Sequence, residues 1–340
     1  MPKYSNPEAW DEAKRISSLI GLAPNTFTTC VRFLRRDVDE NNGQLSDVTA
    51  YCLRALLKSR NMRAALYYAV LSYRPEQLLN YKTLPAKAFQ EIFSIEELAC
   101  LIGVLFVFRR IKRGCPSEHF IPFAKTMHTY ADIGALVGDA IPRIGLGRGL
   151  LLGTMRHLSC AMFLGVDQKN FIKYRRALRI EDRLFDIDAE IALWQCSHAH
   201  IGSFIIQLLG LGVSEASAYA QAILPTTMYE NEMAADMYRA KTLLTWVDVF
   251  QRTGTAPNIV HRGEFYPTAV ALSRLNEFVA RVRKEGSLSY WLLKNWADLT
   301  PEAAEMLTVP PYQDKQRAPK EVSSDIVQDM AQLVAEEEGD

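Results

Sequence analysis

Apolar residues recur at three- and four-residue intervals along almost the whole chain, and strand-type alternation is not sustained anywhere, so the pattern predicts an all-α fold. Asn6 and Pro7, followed by an apolar stripe at Trp10, Ala13, Ile16, Leu19 and Ile20 and then by Gly21, supply a cap, a first-turn proline and a stop for one helix. A second helix runs from about Phe27 through Cys30, Val31 and Leu34 until the turn-forming stretch Asp37 to Gly43 breaks it. Leu45, Val48, Cys52, Leu53, Leu56 and Leu57 make the amphipathic face of a third. Ser94 and Glu97 have capping-box spacing with Phe93 and Leu98 as the hydrophobic staple, opening an apolar helix that continues to Phe108. Arg109, Arg110, Lys112 and Arg113 then stand where cations favour a helix carboxyl end, and Gly114-Cys115-Pro116 closes it. The same spacing predicts further helices at about 122–139, 148–164, 168–181, 187–210, 214–223, 231–253, 264–285, 287–297 and 301–307.

These elements suggest an amino-terminal helix (1–21), a main body (22–255) divided at the Gly114 stop into lobes 22–113 and 114–255, and a helical extension (256–309). From Pro310 the composition turns to proline, lysine and glutamine and ends in acids, predicting a mobile tail (310–340) with one short amphipathic helix over Ser324 to Val334.

With 340 residues, 49% of them hydrophobic, the chain has material for a large buried core. Lys plus Arg and Asp plus Glu both total 39, so no net field draws it to nucleic acid or an anionic membrane, and neither partner is expected. The six cysteines lie far apart without a C-x-x-C pair and read as reduced core thiols. The first residues lack a signal-peptide pattern, and the runs Leu98 to Phe108 and Ile201 to Val213 are shorter than the roughly 20 residues of a spanning helix. A cytoplasmic location is the expectation.

Candidate chemistry lies where polar groups interrupt apolar helices: His128, then Arg156-His157, then His198-Ala199-His200, and Asp248 within Leu244 to Phe250. A lone histidine on an apolar face is most often a satisfied core residue, a reading that extends to His119 and His261. His198 shares a face with Ile201, Ile205 and Leu208, while His200 is rotated about 200° from it, so the two cannot chelate one ion from a regular helix. Asp248 is the sharper oddity, because a buried carboxylate needs a cation, a donor or a shifted pKa. Gly145-Leu146-Gly147-Arg148-Gly149 satisfies neither the phosphate-loop nor the dinucleotide fingerprint and reads as a loop between helices. The basic runs Arg32/Arg35/Arg36 and Lys173/Arg175/Arg176/Arg179 are each followed by acids and read as self-neutralising surfaces.

The order of these features resembles the HDOD family, the output-domain branch of the HD metal-dependent phosphohydrolases. Leu22-Ala23-Pro24 resembles the family's opening segment, and Phe93 to Gly103 is similar to its I-S-S-[IL]-E-x-A-I-x-x-L-G stretch. His128 matches the histidine that opens the HD-like half. Gly149 to Leu164 is similar to the segment holding the His-Asp doublet, but Arg156 and His157 stand in its place and Ser159 replaces a glycine. His198-Ala199-His200-Ile201-Gly202 resembles H-A-E-V-G, and Asp248 falls at the last superfamily aspartate, with Thr245 where that segment has histidine. Covering about residues 22–255, the resemblance implies a two-lobed helical bundle whose second lobe is a reduced HD domain.

Metal-assisted hydrolysis needs several imidazoles and carboxylates converging on the ion. Arg156 cannot lose its proton, and an inward guanidinium would repel a cation and pair with Asp248. The expectation is therefore that no residue is catalytic and no cofactor or metal is held. His128, Arg156, His157, His198 and Asp248 would form a vestigial pocket. The resemblance then implies a non-catalytic bacterial signal-transduction module whose partners are signalling proteins or a small signalling ligand, with a homo-oligomer left open. The alternative is a metal-dependent phosphohydrolase acting on a nucleotide, with His128, His157, His198 and Asp248 as divalent-metal ligands.

Overall fold

The computed structural model describes residues 6–225, 233–258, 263–287 and 290–308, and none of these lies in a strand. The tail after Pro310, with its expected short helix, and His261 fall outside the described residues. Among the described residues, fifteen α-helices and a few 3-10 turns carry the architecture.

The amino-terminal helices form where the local signals place them. Helix α1 (Pro7–Ser18) is capped by the Asn6 side chain, and Gly21 takes a left-handed φ of 76° after it. Helix α2 (Asn25–Glu40) ends at the acidic turn, where buried Asp37 accepts from Asn41 and from the backbone and hydroxyl of Ser46, the cap of α3 (Asp47–Leu56). Helix α4 (Arg60–Tyr73) and the short α5 (Ala86–Ile92) lead to α6 (Ile95–Gly114), whose Ser94–Glu97 capping box is complete and whose staple residues Phe93 and Leu98 are both buried.

The centre of the molecule is the antiparallel pair α7 (Ser117–Ala140) and α8 (Leu146–Val166). Gly134 and Gly138 on α7 face Gly149 and Gly153 on α8, and the backbones touch: a methyl group on Gly153 would stand 2.8 Å from the Tyr130 carbonyl oxygen, and one on Gly149 would collide with that of Gly134. Small residues at four-residue spacing on both helices permit this approach. The glycine-rich stretch 145–149 is thus not a loop. Only Gly145, with φ 83°, lies outside the helix, whereas Gly147 and Gly149 are helical: a Cβ on Gly149 would collide with Gly134, and one on Gly147 would stand 3.0 Å from the Glu97 Cα. By length and composition α8 is apolar enough to cross a bilayer, but 83% of its apolar window is buried inside the protein.

Around this pair pack α6, α11 (His198–Leu208), α13 (Ala235–Thr253) and α14 (Ala269–Glu285), with α12 (Val213–Ile223) between α11 and α13. Helices α9 (Gln168–Ile180) and α10 (Ile187–Trp194) form a flank after α8. The expected single helix over 187–210 is two, because Gln195 adopts a left-handed φ of 61° and Ser197 starts α11 anew. The expected helix over 287–297 is likewise two 3-10 turns, Trp291–Leu293 and Trp296–Asp298, before α15 (Pro301–Leu307).

Among the described residues the buried core is continuous across the expected division at 113–114. One buried cluster runs from Ala9 to Leu307, and α6 packs on α8 across the Gly114–Pro116 joint. The extension is part of it: fully buried Trp291 donates from Nε1 to Tyr73 Oη at 3.0 Å, and Tyr73 donates to buried Asp132 on α7 at 2.9 Å.

Candidate functional site

The residues singled out in the sequence divide into one cluster and one outlier. Arg156 and His157 project from the middle of α8, His198 opens α11 and Asp248 sits on α13. Arg156 Nη1 donates to both carboxylate oxygens of Asp248, each at 2.8 Å. The Arg156 side chain is 13% exposed and that of Asp248 25%, so the pair lies under the surface rather than on it. Burial works against the guanidinium's charge, but the carboxylate outweighs it and raises the pKa, leaving Arg156 cationic.

Phe185, in the loop between α9 and α10, fills the middle of the cluster. Its ring centroid lies 4.5 Å from that of His198 and 5.1 Å from that of His157, and the Arg156 guanidinium carbon stacks 4.4 Å from it. A hydrocarbon ring therefore stands against both imidazoles, and the cation beside them is held by Asp248 and by the face of that ring.

His198 is oriented from the other side by Glu190 of α10, a residue not recognised in the sequence. Both side chains are completely buried. The His198 backbone N–H donates to Glu190 Oε2 at 2.8 Å, and its Nδ1 lies 2.7 Å from the same oxygen and 2.9 Å from Oε1. A carboxylate at that distance places a proton on Nδ1, and Nε2 is buried with no hydrogen-bond partner among the described residues. Tyr174 of α9 donates to Glu190 Oε1 at 2.5 Å and accepts from the Asp186 N–H at 3.0 Å, tying the flank to the cluster. The one cue in the sequence is that Glu190 stands four residues before Trp194, on the same buried face of α10.

His157 is 2% exposed, with Tyr130 of α7 4.1 Å away between ring centroids. Burial, then the charges of Arg175 and Arg156 and the neighbouring His198, push its pKa well below the ordinary histidine value, so it is neutral, and its Nδ1 has no partner.

His128 does not join them. It is fully buried on the opposite side of α7, between the rings of Phe108 and Tyr290, with Nδ1 2.7 Å from the Ala124 carbonyl oxygen and Nε2 unpartnered. Burial lowers its pKa to about 4. Tyr130, two residues on and so on the other face of the helix, is the α7 side chain that reaches His157. Nor is His200 outward-facing. Helix α1 covers that side of α11, and His200 is completely buried with its ring 4.7 Å from that of Trp10 and Nδ1 accepting from the Ser197 N–H at 3.1 Å. Among the described residues, no group of three or more His, Cys, Asp and Glu side chains is placed to hold a metal ion.

The two basic runs differ. Arg35 and Arg36 pair with acids as expected, at 3.2 Å to Asp39 and 3.8 Å to Asp37. By contrast, Arg175, Arg176 and Arg179 form no ion pair among the described residues, and Glu181 pairs with Arg183 instead. Comparison with protein-family models, curated proteins and solved structures finds no match to this chain.

Proposed function

We propose that this protein is a non-catalytic regulatory module, as the resemblance to HDOD output domains implies, acting through protein contacts or a small ligand held beside the cluster. The observation that carries the reading is the content of the cluster's centre: the Phe185 ring packs against both His157 and His198, and the cationic Arg156 occupies Asp248. A hydrolytic metal would need those imidazoles and that carboxylate turned on one point, with no permanent positive charge among them. His128, the fourth ligand of the hydrolase alternative, faces Phe108 and Tyr290 instead.

The test is metal analysis of the full chain purified without chelator, together with phosphatase and phosphodiesterase assays. The expected result is substoichiometric metal and no turnover. Stoichiometric iron, manganese or zinc with turnover abolished in His198→Ala would overturn the reading.

A further inference from the structure

Beside the cluster, on the solvent side of His157, lies a cavity of about 320 Å³. We infer that it binds the phosphate group of a small phosphorylated molecule through Arg175, Arg183 and Arg252, which deepens the proposed function and rests on its small-ligand reading. The cavity is at the lower end of the volumes that hold small ligands, about 300–1,000 Å³.

Three elements bring the cations together: Arg175 from α9, Arg183 from the loop before α10 and Arg252 from the end of α13. Asp182 is the one acid in the lining, so like charges outnumber it there. Arg183 is already engaged by Asp186 at 2.5 Å and by Glu181, but Arg175 and Arg252 have no carboxylate partner among the described residues. Arg175 is held in place, its guanidinium carbon 5.3 Å from the Phe123 ring centroid and Nη1 donating to the Leu184 carbonyl oxygen at 3.3 Å. Cations fixed around a concave site repel one another, and a dianion with several acceptor oxygens relieves that repulsion while accepting charge-assisted hydrogen bonds.

His157, 2% exposed, and Gln251 belong to the same lining, although His157 Nδ1 and Gln251 Oε1 are themselves buried without a hydrogen-bond partner. Tyr130, 3% exposed, adds a hydroxyl with no hydrogen-bond partner among the described residues. The neutral hydroxyls of Thr126 and Tyr130 beside the arginines suit the ester side of a phosphomonoester better than a bare inorganic ion. A second cavity, of about 430 Å³, shares Thr126 and Arg175 with the first and is lined by Pro122, Phe123, Phe171 and Ile172 as well as by Arg176 and Arg179, giving room for a remainder with an aromatic or apolar part.

The probes are phenyl phosphate, phenol and inorganic phosphate, titrated into the full chain by calorimetry at low ionic strength. Phenyl phosphate is expected to bind with equimolar stoichiometry and a Kd of about 1 mM or tighter, inorganic phosphate more weakly and phenol not at all. Arg252→Gln and Arg175→Gln should each weaken phenyl phosphate about fivefold or more. Arg54→Gln, on α3 and outside the lining, should leave it unchanged. Arg252 is exposed, so its variant tests the site without risk to folding. Absence of saturable binding, equal loss in Arg54→Gln, or binding indifferent to both cavity variants would overturn the inference and leave the non-catalytic reading standing. Hydrolysis of bound phenyl phosphate would sink that reading and keep the anion site.

Discussion

The Arg156–Asp248 pair offers the most direct energetic test of the cluster. One nitrogen, Nη1, serves both carboxylate oxygens at 2.8 Å, and Arg156 Nε is buried without a partner, so the pair lacks the two-nitrogen fork of the strongest guanidinium–carboxylate contacts. Its members are 13% and 25% exposed, which puts the pair between surface bridges, worth about 0–1 kcal/mol, and fully buried ones, where loss of one partner costs about 3–5 kcal/mol. The two losses should be unequal. Asp248→Asn leaves a more deeply buried cation against Phe185 and should cost about 2–3 kcal/mol. Arg156→Met leaves a carboxylate that water reaches and restores apolar packing on Phe185, so about 1 kcal/mol is expected. In the double variant most of the Asp248→Asn penalty should vanish, giving a coupling energy of about 1–2 kcal/mol. Urea denaturation is the assay, since guanidinium chloride would screen the charges. Two neutral single variants with a coupling below about 0.5 kcal/mol would refute the argument that this ion pair organises the cluster.

Four further outcomes follow from the geometry. Gly149→Ala drives a methyl group into the Gly134 carbonyl oxygen and should cost about 1–3 kcal/mol or more, while Gly114→Ala, with nothing within 4 Å, should be neutral or slightly stabilising; thermal melts compare the two. Asp132, raised by burial from 3.8 to about 6 against the hydrogen bonds from Ser287 and Tyr73, is more stable protonated when folded, so stability is lost as pH rises from 3.8 through 6. Asp132→Asn should therefore stabilise the protein at pH 7.5 by up to about 3 kcal/mol in urea titrations and have no such effect near pH 4. Glu190→Gln removes the carboxylate that accepts from His198 and Tyr174 and should destabilise by about 3 kcal/mol, against about 1 kcal/mol for Tyr174→Phe. Phe185→Ala vacates the space against both imidazoles and should cost about 2–3 kcal/mol, less than a fully enclosed phenylalanine because the residue is half-buried.

Features written in local chemistry were legible in the sequence. The helical class, the Asn6 cap and the Ser94–Glu97 capping box depend on residues within a turn of one another, and each is where the pattern places it. The ion pair joins residues 92 positions apart and was still legible, because a carboxylate in an apolar run has few affordable partners and Arg156 is an inward cation. The break at Gln195 was not legible, since a non-glycine residue takes the left-handed turn and the apolar pattern runs through it. Phe185 and Glu190 were hidden for another reason. Their roles arise only when α9, the following loop and α10 fold back beside α8, and neither residue conflicts with its local pattern. His128 was misplaced into the cluster because helical phase on α7 gives that position to Tyr130.

The loop 181–186 separates two properties that a catalytic pocket would combine. Phe185 turns inward and packs hydrocarbon against both His157 and His198, whereas Asp182, Arg183 and Leu184 line the adjoining cavity. Removing Phe185 should therefore lower stability and spare the arginines, and removing the Arg252 charge should weaken anion binding and spare stability. His157 is the residue common to both, with one ring face packed near Phe185 and Tyr130 and a partnerless nitrogen beside the cavity. A buried nitrogen of that kind costs about 1–3 kcal/mol unless something satisfies it. Burial, the charges of Arg175 and Arg156 and the neighbouring His198 hold that ring neutral, so an anion bound at the arginines would meet it as an uncharged group.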